Sequence, residues 1–182
     1  YMKIKNIIEN FTNTLSGSGL NIHNKTKNPI LLLDYNPVQY FDLFFELSSL
    51  NYDVLLLNQR RPAIWNKESF SKVKKSHSKV LKLKQFKTKE IKLKIVKIKE
   101  EIWKEYEKIF EEESNFYNIF MIKNYSFWEA IKLDFKKIIQ KRFEESIEMF
   151  ILTKELFTKI KINCVLDWAH TGAEEKIVTH FA

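Results

Sequence analysis

The chain has 182 residues, of which 45% are hydrophobic, and it contains only three Gly, three Pro and one Cys. This composition favours one well-buried domain built from long regular elements, and it excludes a fold held together by internal disulfides. No stretch reaches the roughly 20 uninterrupted apolar residues that a membrane-spanning helix needs. The sequence therefore predicts a globular α/β or helical protein with no transmembrane segment.

The formal net charge of +8 is concentrated in one segment. Residues 67–99 contain thirteen Lys and two Glu, a balance of +11, so the rest of the chain carries −3. A basic segment of this kind attracts nucleic acid or another anionic surface. The whole chain has only three Arg, however, and Arg is the residue that grips a phosphate with two parallel hydrogen bonds. The Lys segment thus indicates non-specific binding, and no specific nucleic-acid partner is expected.

The first 28 residues are predicted to form a helix and a loop that precede the main domain. Apolar residues at helical spacing run from Ile4 to Leu15, and Ser16–Gly19 ends that pattern. Residues 29–182 are predicted to form one Rossmann-like domain with a parallel sheet. A helical insertion is expected within it over about residues 88–160, a stretch that contains neither Gly nor Pro.

Two uninterrupted apolar runs, Pro29–Asp34 and Asp53–Asn58, predict buried strands that are covered on both faces. Between them, Pro37 suits the first position of a helix, and the apolar spacing extends that helix to about Leu50. The predicted buried stripe of the helix is Val38, Phe41, Phe44, Phe45 and Leu47. Strand, helix and strand together predict a βαβ unit.

The remaining elements complete the predicted sheet and its insertion. A short helix over residues 68–75 precedes the weaker strand 79–83, whose alternating Lys residues suit a sheet edge. Apolar spacing predicts long helices over about residues 91–113 and 127–159. The last predicted strand, residues 163–167, is a buried one that holds Cys164 as a buried thiol in a reducing compartment, and a helix begins after it.

Ligands of open parallel sheets bind in the crevice outside the carboxyl ends of the strands. The loops after strands 30–34, 53–58 and 164–168 should open at that edge. The residues that we expect to bind a ligand there are Asn36, Arg60, Arg61, His170, Thr171 and Gly172. Backbone amides at the start of the last helix favour an anion such as a phosphate, which makes this edge a predicted anion or sugar pocket.

Arg60 and Arg61 follow a buried strand, and the sequence is consistent with two roles for them. Together they could clamp a phosphate or a carboxylate. Alternatively they brace the loops by pairing with a nearby carboxylate such as Asp34 or Glu174, and the two readings have similar weight. Trp65 stacks on a ligand in one reading and anchors its loop to the core in the other, which we favour.

His170 and Gly172 lie where the last helix begins. A His at that position can act as a general base or donate a hydrogen bond, although most loop His residues do neither. Gly172 permits a close backbone approach or a positive φ. The sequence contains none of GxGxxG, GxxxxGK[ST], HExxH, CxxC or GxSxG. Dinucleotide binding, P-loop hydrolysis, zinc chemistry and α/β-hydrolase chemistry therefore lack support, and no metal site is expected.

Four segments together resemble the N-terminal half of GT-B-like proteins of surface and capsular carbohydrate synthesis. These proteins are of the glycosyltransferase type and are related in fold to UDP-N-acetylglucosamine 2-epimerase. The matching segments are Leu33–Pro37, Asn58–Asn66, Ser126–Trp128 and Val165–Trp168 followed by a helix. The resemblance covers most of residues 29–182 as a pattern of elements, with no single diagnostic motif.

The resemblance implies an acceptor-side domain that is incomplete and inactive alone. A C-terminal domain of the same polypeptide, absent from this chain, would hold most of a nucleotide-sugar substrate, and this chain itself would carry no cofactor. A carbohydrate or lipid-linked acceptor would bind in the cleft between the two domains. The protein would be cytoplasmic, with peripheral contact to the inner face of the membrane as an option. Since Trp168–Thr171 stands where an acidic residue often follows the strand, no catalytic residue is carried over. The alternative function is a non-enzymatic module that binds nucleic acid or an anionic surface through Lys67–Lys99.

Overall fold

A computed structural model describes residues 27–111, 113–168 and 172–182 of the chain. The chain divides into two compact units. Among the described residues, the sheet unit comprises 27–86 and those of 152–182, and the helical unit comprises those of 87–151. The helix predicted over residues 2–15 lies outside the described residues.

The elements alternate as the apolar runs predict. In chain order they are β1 (Pro29–Leu33), α1 (Phe41–Ser49), β2 (Asp53–Leu57), α2 (Lys67–Lys75), β3 (Lys79–Leu81), a 3₁₀ turn (Leu83–Phe86), α3 (Lys89–Glu111), α4 (Glu113–Ile119), β4 (Met121–Ile122), β5 (Tyr125–Ser126), α5 (Trp128–Lys159), β6 (Cys164–Asp167) and α6 (Ala173–His180). Four of the strands form one parallel sheet in the order β3-β2-β1-β6. The predicted α/β Rossmann-like fold with a parallel sheet and a long helix is confirmed.

The core of the sheet unit lies on β1 and β2. All five residues of β1 are buried, and so are four of the five in β2, because helices or loops cover both faces of these central strands. One face packs Leu32 and Leu56 against Phe44 of α1 and Ile64 of the loop after β2. β3 is an edge strand, as its Lys pattern predicts.

The start of α1 differs from the prediction. Residues 37–40 form turns, and the helix begins at Phe41 instead of Pro37. Of the predicted buried stripe, Phe44 is fully buried, whereas Phe45 is 49% exposed. Adjacent helical positions point about 100° apart, and in α1 the position that faces the core is that of Phe44.

The prediction that Cys164 is a buried thiol is wrong. Cys164 is exposed, and the other residues of β6 are only partly buried. The reason is the position of the strand, because β6 ends the sheet order and pairs with β1 on one side only. A run of apolar residues indicates a strand but does not tell a central strand from an edge strand.

The helical unit is built on α3 and α5, the two long helices that the sequence predicts. Aromatic rings stack between its elements, with Phe116 and Phe120 each parallel to Trp128 at centroid distances of 4.5 and 5.4 Å. Between α4 and α5 lies a two-stranded hairpin that the sequence analysis missed. Its turn residues, Lys123 and Asn124, have φ values of 47° and 67°, as a tight two-residue hairpin requires.

Candidate functional site

A cavity of about 540 Å³ opens at the carboxyl ends of β1, β2 and β6. Because these strands are parallel, the loops that follow them meet at one edge of the sheet. The residues that line the cavity are Asp34, Asn36, Gln39, Tyr40, Asn58, Arg60, Arg61, Pro62, Trp65, Trp168 and Glu175. The cavity therefore lies at the sheet edge where the sequence predicts a ligand pocket.

Asp34, which the sequence analysis considered only as a partner for Arg, lies at the centre of this edge. Its backbone adopts a left-handed conformation with φ of 56°, which Asp tolerates better than most residues. Its Oδ1 accepts hydrogen bonds from the backbone N–H groups of Gln59 at 2.8 Å and Arg60 at 3.1 Å. Burial raises the pKa of the Asp34 carboxyl, and these two amides lower it by less. Asp34 thus joins the end of β1 to the loop after β2 and presents a partly desolvated carboxyl to the cavity.

Two amide side chains at this edge have different roles. The Oδ1 of Asn36 accepts hydrogen bonds from the backbone N–H of Val38 at 2.9 Å and of Gln39 at 3.3 Å. Asn36 thereby shapes the turn before α1, and its oxygen is engaged by the backbone. The Nδ2 of Asn58 donates to the carbonyl oxygen of Tyr35 at 2.9 Å, which leaves the Asn58 Oδ1 as an acceptor.

The two Arg residues also divide their roles. The Nη2 of Arg60 pairs with Oε1 of Glu175 at 2.5 Å, and the Glu175 side chain is only 3% exposed. The predicted bracing of the loops by an Arg–carboxylate pair is thus present, and its carboxylate is that of Glu175, which the sequence analysis did not name as a partner for Arg. Arg61 is exposed, lines the cavity and makes no ion pair with any residue that the structure describes.

Gly172 is the N-cap residue of α6 and lies close to the ends of two side chains. A Cβ at this position would lie 1.9 Å from Oε2 of Glu175 and 2.7 Å from Nη2 of Arg60. Its φ is −101°, so the alternative explanation, a positive φ, is wrong. The start of α6 thus already holds a carboxylate of the chain itself, since Glu175 lies in the first helical turn.

Aromatic side chains form one wall of the cavity. The ring of Trp168 lies 5.0 Å from that of Tyr40 and 6.3 Å from that of Tyr35, and Trp168 is 58% exposed. Burial, with Tyr40 and Asp167 nearby, raises the pKa of the Tyr35 hydroxyl. Trp65 is partly buried and lines the cavity. The residues of this loop that fill the core are Ala63 and Ile64.

Of the six predicted ligand-binding residues, the structure brings Asn36, Arg60 and Arg61 to the cavity wall and sets Gly172 against Arg60 and Glu175. His170 and Thr171 lie outside the described residues. The sequence analysis did not select Asp34, Asn58, Tyr40, Trp168 or Glu175. The same rule about strand ends could have selected Asp34, Asn58 and Trp168, whereas Tyr40 and Glu175 enter the site only through tertiary packing.

Comparison with protein-family models, with curated proteins and with solved structures gave no match. Within residues 27–111, 113–168 and 172–182, no three His, Cys, Asp or Glu side chains are arranged so that they could hold a metal ion. No helix among these residues is both long enough and apolar enough to cross a membrane.

Proposed function

We propose that the chain is the acceptor-side domain of a glycosyltransferase or related nucleotide-sugar enzyme of surface carbohydrate synthesis. The observation that carries the proposal is the cavity at the carboxyl edge of the sheet, where Trp65 and Trp168 lie beside amide and carboxyl groups. A sugar ring has apolar faces and a rim of hydroxyl groups. Aromatic walls with a few fixed polar groups suit such a ligand.

In this proposal the cavity holds a carbohydrate or lipid-linked acceptor. The nucleotide sugar is held mainly by a further domain of the full-length protein, which acts in the cytoplasm at the inner face of the membrane. The chain alone then binds carbohydrate without turnover.

The alternative, a module that binds nucleic acid or an anionic surface through Lys67–Lys99, has less support. In the sheet unit Lys79 pairs with Asp53 at 3.2 Å. In the helical unit Lys87 pairs with Glu148 at 2.5 Å, and Lys99 lies 3.6 Å from the same carboxylate. Each such pair lowers the positive charge that the segment offers to a phosphate backbone.

Carbohydrate binding can be tested with the Trp168→Ala variant. We expect the chain to bind saccharides in isothermal titration calorimetry against a panel of monosaccharides and oligosaccharides. Removing the Trp168 ring should weaken that binding about tenfold, because an aromatic contact contributes on the order of 1 kcal/mol. Trp103→Ala, which removes a ring stacked on Tyr106 of α3, is the matched control and should leave binding unchanged.

Two results would contradict the proposal. One is the absence of binding to every saccharide of the panel. The other is tight, sequence-selective binding of DNA or RNA at physiological salt, which would favour the Lys67–Lys99 alternative.

A further inference from the structure

Two acceptor atoms of the cavity residues are buried without a hydrogen-bond donor among the residues that the structure describes. They are Oδ1 of Asn58 and Oε2 of Glu175. Buried polar atoms in native proteins nearly always have a partner, and an orphaned one points to a ligand or an ordered water. Both side chains line the same cavity, so its occupant is expected to supply donors.

The orientation of the Asn58 amide is defined by its neighbour. Its NH₂ group must face the carbonyl oxygen of Tyr35, at 2.9 Å, because a carbonyl can only accept. The Asn58 oxygen therefore remains an acceptor and cannot exchange places with the nitrogen.

Glu175 removes the anion site that the start of α6 would otherwise offer. Its Oε1 takes the guanidinium of Arg60, and its Oε2 lies against Gly172. A phosphate at the start of α6 would meet this carboxylate, and the charge of Arg60 is already paired there. A neutral group with O–H donors meets no such repulsion.

We propose that Asn58 and Glu175 are specificity-determining residues that accept hydrogen bonds from hydroxyl groups of a neutral saccharide or polyol. Asp34, whose partly desolvated carboxyl lines the same cavity, adds a third acceptor group to this side. The inference rests on the proposed function and specifies the chemical class of its ligand. At the start of α6, unphosphorylated hydroxyl groups are recognised and a phosphate ester is not.

The first experiment compares ligands on the unmodified chain. Calorimetric titrations use N-acetylglucosamine, glucose, galactose and myo-inositol, together with glucose 6-phosphate and inorganic phosphate. For the best neutral binder, deoxy and deoxyfluoro analogues are then titrated at each hydroxyl position. We expect at least one position where both analogues lose about tenfold or more, because neither can donate to the buried acceptor.

The second experiment uses Glu175→Gln, which retains one oxygen for Arg60 and replaces the other by an NH₂ donor. We expect about tenfold weaker binding of the neutral ligand. Glu174→Gln, the same change at the adjacent exposed position, is the matched control and should bind as the unmodified chain does. Thermal melts of both variants report the fold, and the analogue scan needs no variant if Glu175→Gln is unstable.

The outcomes separate this inference from the proposed function. If glucose 6-phosphate or inorganic phosphate binds more tightly than the neutral sugars and Glu175→Gln binds them normally, the inference is wrong while a carbohydrate function survives. If deoxyfluoro analogues bind as well as their parents at every position, no hydroxyl donates and the inference is again wrong. If no saccharide or polyol binds, the proposed function fails and this inference fails with it.

Discussion

The sheet unit and the helical unit bury their apolar residues in different ways. In the sheet unit, β1 and β2 contribute Leu residues that are almost completely buried. In the described part of the helical unit, Ile91, Ile95, Trp128 and Ile151 are the buried hydrophobic residues. Exposed apolar side chains such as Leu93 and Leu133 remain on its helices. The sheet unit is thus stabilised by an aliphatic core, and the helical unit by ring stacking and ion pairs along the faces of its helices.

The two units also shift the pKa of a carboxyl group in opposite directions. In the sheet unit, burial dominates at Asp34 and raises its pKa. In the helical unit, burial opposes the ionisation of Glu148, but its pairs with Lys87 and Lys99 together hold its pKa below its usual value of 4.5. Ionised Asp34 therefore costs stability at neutral pH, whereas ionised Glu148 contributes stability. Groups that lower stability in this way, through strain or a perturbed pKa, occur mainly at functional sites, where the surrounding structure holds them in place.

The largest expected effect is in the aliphatic core. Leu56→Ala should lower the free energy of unfolding by about 3 kcal/mol, because it removes buried methyl groups and leaves a cavity between strand and helix. Chemical denaturation with circular dichroism measures the change. The control is Leu93→Ala, at a position that is 73% exposed, and it should change stability by less than about 0.5 kcal/mol. Equal losses for the two variants would mean that the sheet unit does not depend on its Leu core.

The second effect distinguishes the helical unit by its pH dependence. Glu148→Gln should destabilise the chain by about 1 kcal/mol at neutral pH, because it removes the charge that pairs with Lys87 and Lys99. Since the folded pKa is lowered, this contribution is complete above pH 4.5 and is lost as the pH falls through the folded pKa. Melting curves of both proteins should therefore converge in acid.

The control for this pair is Glu145→Gln, because Glu145 is 51% exposed and pairs with Arg142 at 3.2 Å on the surface. Its loss should be small at every pH. A constant difference between Glu148→Gln and the unmodified chain down to strong acid would contradict the assigned pairing.

The smallest effect has the opposite sign. Asp34→Asn keeps an oxygen that can accept from the amides of Gln59 and Arg60, and it removes a charge whose burial is unfavourable. The folded state binds the Asp34 proton more tightly than the unfolded state, so stability falls as the pH rises from 3.8 through the folded pKa. The Asn variant should then melt slightly higher at neutral pH and match the unmodified chain below pH 3.8.

Asp134→Asn, at a side chain that is 82% exposed in the helical unit, is the control and should not shift the melting temperature. A clear loss of stability in Asp34→Asn at neutral pH would mean that the Asp34 charge holds the loop after β2 more strongly than burial opposes it.

Much of the fold could be predicted because local patterns determine it. Apolar runs specify β1 and β2, helical spacing specifies α3 and α5, and alternating Lys residues specify the edge strand β3. The site was predicted as an edge of the sheet with six residues, of which Asn36, Arg60 and Arg61 line the cavity. The rule about strand ends brings the loops after β1, β2 and β6 together, but it cannot say which side chains already have partners inside the protein.

The sequence by itself determined the four strands of the parallel sheet and the long helices, and it predicted the edge where a ligand would bind, since periodicity and parallel connection need only neighbouring residues. Tertiary structure alone decided that Cys164 at the edge of the sheet is exposed, that Arg60 pairs with Glu175 and that Gly172 leaves room for that pair. These facts depend on contacts between residues more than a hundred positions apart in the chain. Whether two residues so far apart in the chain pair or bury each other depends on how the folded elements pack together. The pattern of neighbouring residues in the sequence does not contain that information.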